Sequence, residues 1–194
     1  MKPEKLFGIL AVAEKLKCNT RHCCTTSGRP ESVAEHSWRL ALMAMLLKDE
    51  FPEADMNKVI SMCLIHDLGE AFTGDIPTFL KNADHARVEE QALDSWVATM
   101  PEPAREEFAS LLEEMNAMQT VEARIYKALD KMEAVIQHNE SDISTWLPLE
   151  YDLQLRYGAE NVAFHPYLRQ LKAEVDTWTR RKIAEAGGPP KASE

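Results

Sequence analysis

Apolar residues recur at intervals of three and four along most of this chain, a period that fits helices packed on helices. Leu6, Ile9, Leu10, Ala13 and Leu16 follow it near the start, His36, Leu40, Met43 and Leu47 further on, and Ile125, Leu129, Met132 and Ile136 late in the chain. No run alternates apolar and polar residues between turn formers, so no sheet is expected. Glycine is sparse, seven in 194 residues, and two of the seven (Gly187, Gly188) fall close to the C-terminus. The pattern predicts helices over about 3–17, 33–49, 55–70, 85–99, 103–118, 121–139, 148–157 and 166–186. Residues 18–31, 71–84 and 140–147 read as connections, each with turn-forming or small polar residues. Ser32 is placed to cap the second helix, with Glu35 completing a capping box. Asp55 or Asn57 is placed to cap the third, and Thr120 the helix that carries Asp130. The expectation is an all-α fold, a single domain of about eight helices over about 1–186, followed by a disordered tail at 187–194.

Composition narrows the partners. The chain is 45% hydrophobic, enough for a buried core, and no stretch approaches the roughly 20 apolar residues of a membrane span. The first residues show no signal-peptide hydrophobic region, so a cytoplasmic protein is expected. A formal net charge of −10 repels a polyanion, so no nucleic-acid partner is expected. A small phosphate ligand stays compatible, because salt screens the distant charge within about 8–10 Å. The four cysteines, Cys18, Cys23, Cys24 and Cys63, contain no C-x-x-C pair and read as reduced thiols. A zinc site from His22, Cys23 and Cys24 would need a strained loop and a distant fourth partner.

The chemistry concentrates at His36, the pair His66-Asp67, and Asp130. His36 shares its stripe with Leu40, Met43 and Leu47 and so points inward. Asp67 shares a face with Ile60 and Leu64, and Asp130 lies beside the stripe of Ile125, Leu129 and Met132. A carboxylate at the edge of an apolar face needs a hydrogen bond, an ion pair or a metal, because an isolated buried charge is very costly. Any one of the four residues alone reads as a hydrogen-bonded histidine or an ion-paired aspartate. Together, three helices each bring a ligand type toward one interior. Two imidazoles and two carboxylates suit a borderline divalent cation: Mn²⁺, Fe²⁺, Co²⁺, Ni²⁺, Zn²⁺ or, less well, Mg²⁺.

The order His, His-Asp, Asp on an all-α chain resembles the HD superfamily of metal-dependent phosphohydrolases. Three blocks carry the likeness to its 5′-deoxynucleotidase branch: Arg29-Pro30-Glu31-Ser32-Val33-Ala34-Glu35-His36-Ser37, then His66-Asp67-Leu68-Gly69-Glu70 with Thr73-Gly74-Asp75-Ile76-Pro77, then Ala128-Leu129-Asp130-Lys131. The resemblance implies that His36, His66, Asp67 and Asp130 ligate one divalent metal. It also implies catalytic or water-positioning roles for Glu70 and Asp75. Read by themselves, Glu70 is a surface acid and Asp75 a turn residue or cap. On a continuous helix, Glu70 would fall beside both His66 and Asp67. Family members often carry Arg-Trp before the first metal histidine; this chain reads Arg21-His22, so Arg21 matches as a nucleotide contact and the Trp does not. Lys81 is a phosphate partner by charge, or equally a solvated loop lysine.

The expected reaction is hydrolysis of a deoxyribonucleoside 5′-monophosphate to a deoxyribonucleoside and phosphate, by a homodimer, as relatives tend to dimerise. Guanosine tetraphosphate hydrolases of the superfamily carry a second acid where this chain has Ala71. Dinuclear members place additional histidines between His-Asp and the last Asp, where this chain has only His85. The alternatives are another nucleotide phosphohydrolase or phosphodiesterase of this superfamily, or a non-catalytic helical interaction module that binds metal.

Overall fold

A computed structural model describes residues 1–189; the last five residues of the expected tail lie outside the described part. Helices dominate, as the periodicity requires. In chain order they are α1 (Pro3–Lys15), α2 (Val33–Leu46), α3 (Met56–Ile65), α4 (Glu70–Thr73), α5 (Ala83–Val97), α6 (Ala104–Ala117), α7 (Val121–Glu140), α8 (Glu150–Arg156), α9 (Ala159–Val162) and α10 (Pro166–Glu185). Eight of these exceed one turn, which is the number the periodicity predicts.

Two features depart from the sequence reading. Residues expected as loop form β1 (Thr20–Cys24) and β2 (Pro30–Ser32), paired in a two-stranded sheet. The connecting turn is closed by Thr25 N–H donating to the Arg29 carbonyl at 2.8 Å, with Gly28 at φ 84°. Five residues that do not alternate cleanly carry little strand signal of their own; pairing supplies the rest. The second departure is a break. The third helix ends at Ile65 and the chain passes through a turn before α4 begins at Glu70. Bonds from Leu68 N–H to Ile65 O and Glu70 N–H to Asp67 O tighten this turn into three-residue steps.

The chain divides into two compact units, Met1–His22 with Glu31–Tyr126, and Cys23–Pro30 with Lys127–Glu194. In the first, α2 packs on α3, and Leu40, Ala44, Val59, Met62 and Cys63 are fully buried. Each large apolar side chain buried this way contributes about 1.5–3 kcal/mol, and truncating Leu40 to Ala costs about 2–5 kcal/mol. The capping box at α2 forms as expected. Glu35 N–H donates to Ser32 Oγ at 3.2 Å, and Ser32 N–H donates to Glu35 Oε2 at 2.9 Å. Asp55 caps α3, accepting from the N–H groups of Asn57 and Lys58. In the second unit, α10 packs on α8 and α9, with Leu168 and Val175 buried. Asn139 on α7 donates its amide to Thr179 Oγ on α10 at 2.9 Å, both side chains being buried. Among the described residues no helix is long and apolar enough to cross a membrane.

Candidate metal centre

The first unit builds its polar interior from α2, the turn after α3, and β1. Ser32 fixes the start of α2, which sets His36 one turn in and fully buried. His66 stands at the C-terminal end of α3, where its Nδ1 lies 2.9 Å from the Cys63 carbonyl. A carbonyl only accepts, so Nδ1 carries a hydrogen and Nε2 is the ring atom turned toward Asp67. That Nε2 faces Asp67 Oδ2 at 3.0 Å, and His36 Nε2 lies 3.9 Å from the same oxygen. The two imidazole rings are 5.2 Å apart at 63°. One ligand atom from each of His36, His66 and Asp67 falls within 4.8 Å of the others.

This donor set fits a divalent ion. A ring nitrogen 3.0 Å from a carboxylate oxygen is held there by a proton or a cation between the two. Two imidazoles and one carboxylate are the N/O mixture that borderline cations prefer. The Cys63 carbonyl orients His66 in the manner of an outer-shell partner. Burial alone would raise the Asp67 carboxyl, but His66, His36 and Arg21 outweigh it and hold the group well below the ordinary carboxylate range.

Glu70 stands in the opposite condition three residues later. It opens α4, its side chain is 4% exposed, and among the described residues its Oε2 has no hydrogen-bond partner. Burial, with the charges of Asp67 and Asp75, pushes it up to about 9. The expectation that one continuous helix sets Glu70 beside its neighbours is corrected: the chain breaks at His66, and Asn19 Nδ2, donating to the Glu70 carbonyl, ties the new start to the residue before β1. Asp75 follows Gly74, whose φ of 77° turns the chain where a side chain would be strained. Burial raises the Asp75 carboxyl too, with Asp67 adding to it, while Arg21, Lys81 and His36 pull the other way.

Two cations approach these acids. Arg21, on β1, lies 3.4 Å from Asp67 Oδ2 through its terminal nitrogen and 3.4 Å from Glu31 Oε2 through Nε. Lys81 Nζ lies 2.6 Å from Glu89 Oε2. Its burial lowers its proton affinity, but Glu89, then Glu70 and Asp67, more than restore it. The structure thus brings His36, His66, Asp67, Glu70, Asp75, Arg21 and Lys81 into one electrostatic neighbourhood. Asp130 lies in the second unit, on α7. It is buried and paired with Lys127 at 3.0 Å and Lys131 at 3.7 Å, and Lys131 in turn reaches the Tyr157 hydroxyl at 2.7 Å.

Sequence reading missed Glu31 and Glu89. An acid in a loop or on a charged helix carries no signal of its own. For Glu31 the clue was its place directly before the capping Ser32, since a cap fixes the strand that precedes it. The alternative zinc trio does not assemble. Among the described residues His22, Cys23 and Cys24 form no metal-capable group, and His22 stacks edge-on against Phe79 at 5.3 Å.

Comparison with known proteins follows the same residues. The sequence profile described as HD domain matches residues 13–172. Human 5′-deoxynucleotidase HDDC2 is 33% identical over 84% of this chain and 79% of its own length. The crystal structure of a predicted metal-dependent phosphohydrolase from Magnetospirillum magnetotacticum superposes with a TM-score of 0.78 at 27% identity, covering 96% of this chain and 95% of that one. A cyanophage HD phosphohydrolase, bound to dA and one catalytic Zn²⁺ ion, shares the fold at a TM-score of 0.57 and 21% identity, over 90% of this chain and 96% of that one.

Proposed function

This chain belongs to the HD domain family, and from that premise we propose that it is a metal-dependent 5′-deoxynucleotidase. Its substrate is a deoxyribonucleoside 5′-monophosphate, which with water gives a deoxyribonucleoside and phosphate. One observation carries the reading: His36, His66 and Asp67 bring two ring nitrogens and a carboxylate oxygen within 4.8 Å of one another, close to a buried Glu70 oxygen with no hydrogen-bond partner among the described residues. A purely structural helical module has no use for a buried carboxyl oxygen left without a partner beside such a donor set, since it is costly until a ligand meets it.

By the family likeness, His36, His66, Asp67 and Asp130 would hold one divalent ion. When bound, such an ion supplies a water of lowered pKa and a positive charge for a phosphoryl oxygen. Glu70 holds a proton in the metal-free fold; a cation bound nearby would favour its ionised form, which accepts the proton of the attacking water. Asp75, also raised, donates to the leaving 5′-oxygen. Arg21, held between Glu31 and Asp67, offers the remaining donors of its guanidinium to the phosphate. Lys81 adds a second positive charge.

A second copy of this chain is the partner we assign to the exposed apolar residues of the first unit. Leu6, Phe7 and Leu10 on α1, a helix with no buried residue, and Trp38, Met45 and Leu46 on α2 are all left to solvent. A cytoplasmic location fits four free thiols. The test of function is direct. The protein is stripped of metal, reloaded with Mn²⁺, Co²⁺ or Zn²⁺, and assayed for phosphate release from deoxy and ribo monophosphates. Release from the deoxy series is expected; no release from any nucleotide with any of the metals would sink the reading.

A further inference from the structure

The segment between Asp75 and α5 is half-buried at Ile76, Pro77, Phe79 and Lys81, and the start of α5 beyond it is exposed until Glu89. In the first two turns of α5, Ala83 to Val88 are all exposed and Glu89 is the first residue that is not. Its Oε2 holds Lys81 Nζ at 2.6 Å, across the turn where Asn82 caps α5 by accepting from His85 N–H. The stem of Glu89 lies against Gly69, between the ligand Asp67 and the acid Glu70. A Cβ built on Gly69 would stand 2.7 Å from Glu89 Cγ and 3.4 Å from the Glu89 carbonyl oxygen. A separation of 2.7 Å is closer than any real carbon pair, and Cγ sits too near the backbone to swing away freely. Gly69 is therefore the residue that lets α5 close over the turn.

We propose that Glu89 is a positioning residue for substrate binding: seated on Gly69, it holds Lys81 so that the ammonium faces the phosphate of the nucleotide. The inference rests on the nucleotidase reading above. A lysine ammonium has three donors on a flexible four-carbon stem, and fixing it against one carboxylate leaves two donors for a phosphate oxygen. Without Glu89 the lysine keeps its charge but loses its place. The cost then falls on binding the substrate; Glu89 is a lesser contributor to the raised proton affinity of Glu70, behind burial, Asp67 and Asp75, so the chemical step changes little.

The test is a double-mutant cycle on the metal-loaded protein, with phosphate release from a deoxyribonucleoside monophosphate as the assay. Glu89→Ala is expected to raise KM about tenfold with kcat within about twofold, the pattern of lost ground-state binding. Lys81→Met is expected to raise KM at least as much. Combined, the two should raise KM no more than Lys81→Met alone, because Glu89 reaches the phosphate only through Lys81. Gly69→Ala should reproduce the KM effect of Glu89→Ala and add nothing to it, and Glu89→Asp should recover part of the loss. Glu89→Ala losses that multiply with those of Lys81→Met, or that fall on kcat or on thermal stability alone, would overturn the positioning role while leaving the nucleotidase reading intact. An inactive wild-type protein, with metal bound and folded, would overturn both.

Discussion

Two buried polar regions of this molecule follow opposite rules. On α7 and α10 of the second unit, Asn139 and Thr179 are 3% and 0% exposed, and each finds a partner. The Asn139 amide donates to Thr179 Oγ at 2.9 Å, and the Thr179 hydroxyl donates to the Val175 carbonyl at 3.0 Å. Around the His66 turn of the first unit, Glu70 is as deeply buried yet its Oε2 has no partner among the described residues. Asp67 and Glu70, three residues apart, are driven in opposite directions in proton affinity. A satisfied buried network holds helices together and stops there. An unsatisfied one stores a cost that a ligand can relieve, which is why strongly perturbed acids in one place point to function.

The comparison breaks most visibly at Asp67. Asp67→Asn removes the one carboxylate that both imidazoles face. Phosphate release is expected to fall by on the order of 10³-fold, with loss of bound metal. Metal analysis beside the activity assay checks this; full activity with the metal retained would remove Asp67 from the centre.

The next effect in size carries two signs. Glu70→Gln is expected to lower kcat on the order of 10²-fold, through loss of the proton acceptor. The same change should stabilise the metal-free protein. In the fold Glu70 titrates at about 9 against an ordinary value of 4.5, so its folded form holds the proton more tightly. Such a group favours folding fully below about 4.5, and that support drains away as pH rises toward about 9, at up to roughly 1.4 kcal/mol per pH unit. Glutamine does not titrate. Denaturant melts of the metal-free wild type and variant at pH 6 and pH 8 should therefore diverge as pH rises, the variant being the more stable. A gap that shrinks with pH would contradict the assignment.

The smallest effect tests the satisfied region. Thr179→Val is close in size but removes the hydroxyl that Asn139 meets, leaving its amide only the longer contact to the Val175 carbonyl at 3.5 Å, at a cost of about 1–3 kcal/mol. Thermal melts should show the loss, and kcat of the folded protein should not change. The two buried regions would then have responded to isosteric substitution in opposite directions.

Much of this was legible in the sequence because it is local. The capping box at Ser32 and Glu35, the Asp55 cap and the Thr120 cap, whose Oγ accepts from Ala123 N–H at 3.2 Å, each depend on residues three apart. His36 reads as interior because Leu40, Met43 and Leu47 share its stripe. The break at His66 was hidden, since Met62 to Leu68 continue the helical pattern with no glycine until Gly69. The hairpin was hidden because its stability lies in pairing with residues about ten positions away. Glu31 and Glu89 were hidden because an acid gains meaning only from the cation it meets, Arg21 in one case and Lys81 in the other. The grouping of His36, His66 and Asp67 was therefore readable from residue type and order, whereas the groups that orient its neighbours were not.

The central claim is a mononuclear N/O centre, and X-ray absorption of the protein loaded with Mn²⁺ or Zn²⁺, with the metal counted per chain, tests it most directly. The prediction is one ion per chain, with scattering from two imidazoles and the remaining ligands oxygen. Sulfur scattering from Cys23 or Cys24, or a stoichiometry near two or near zero, would contradict it.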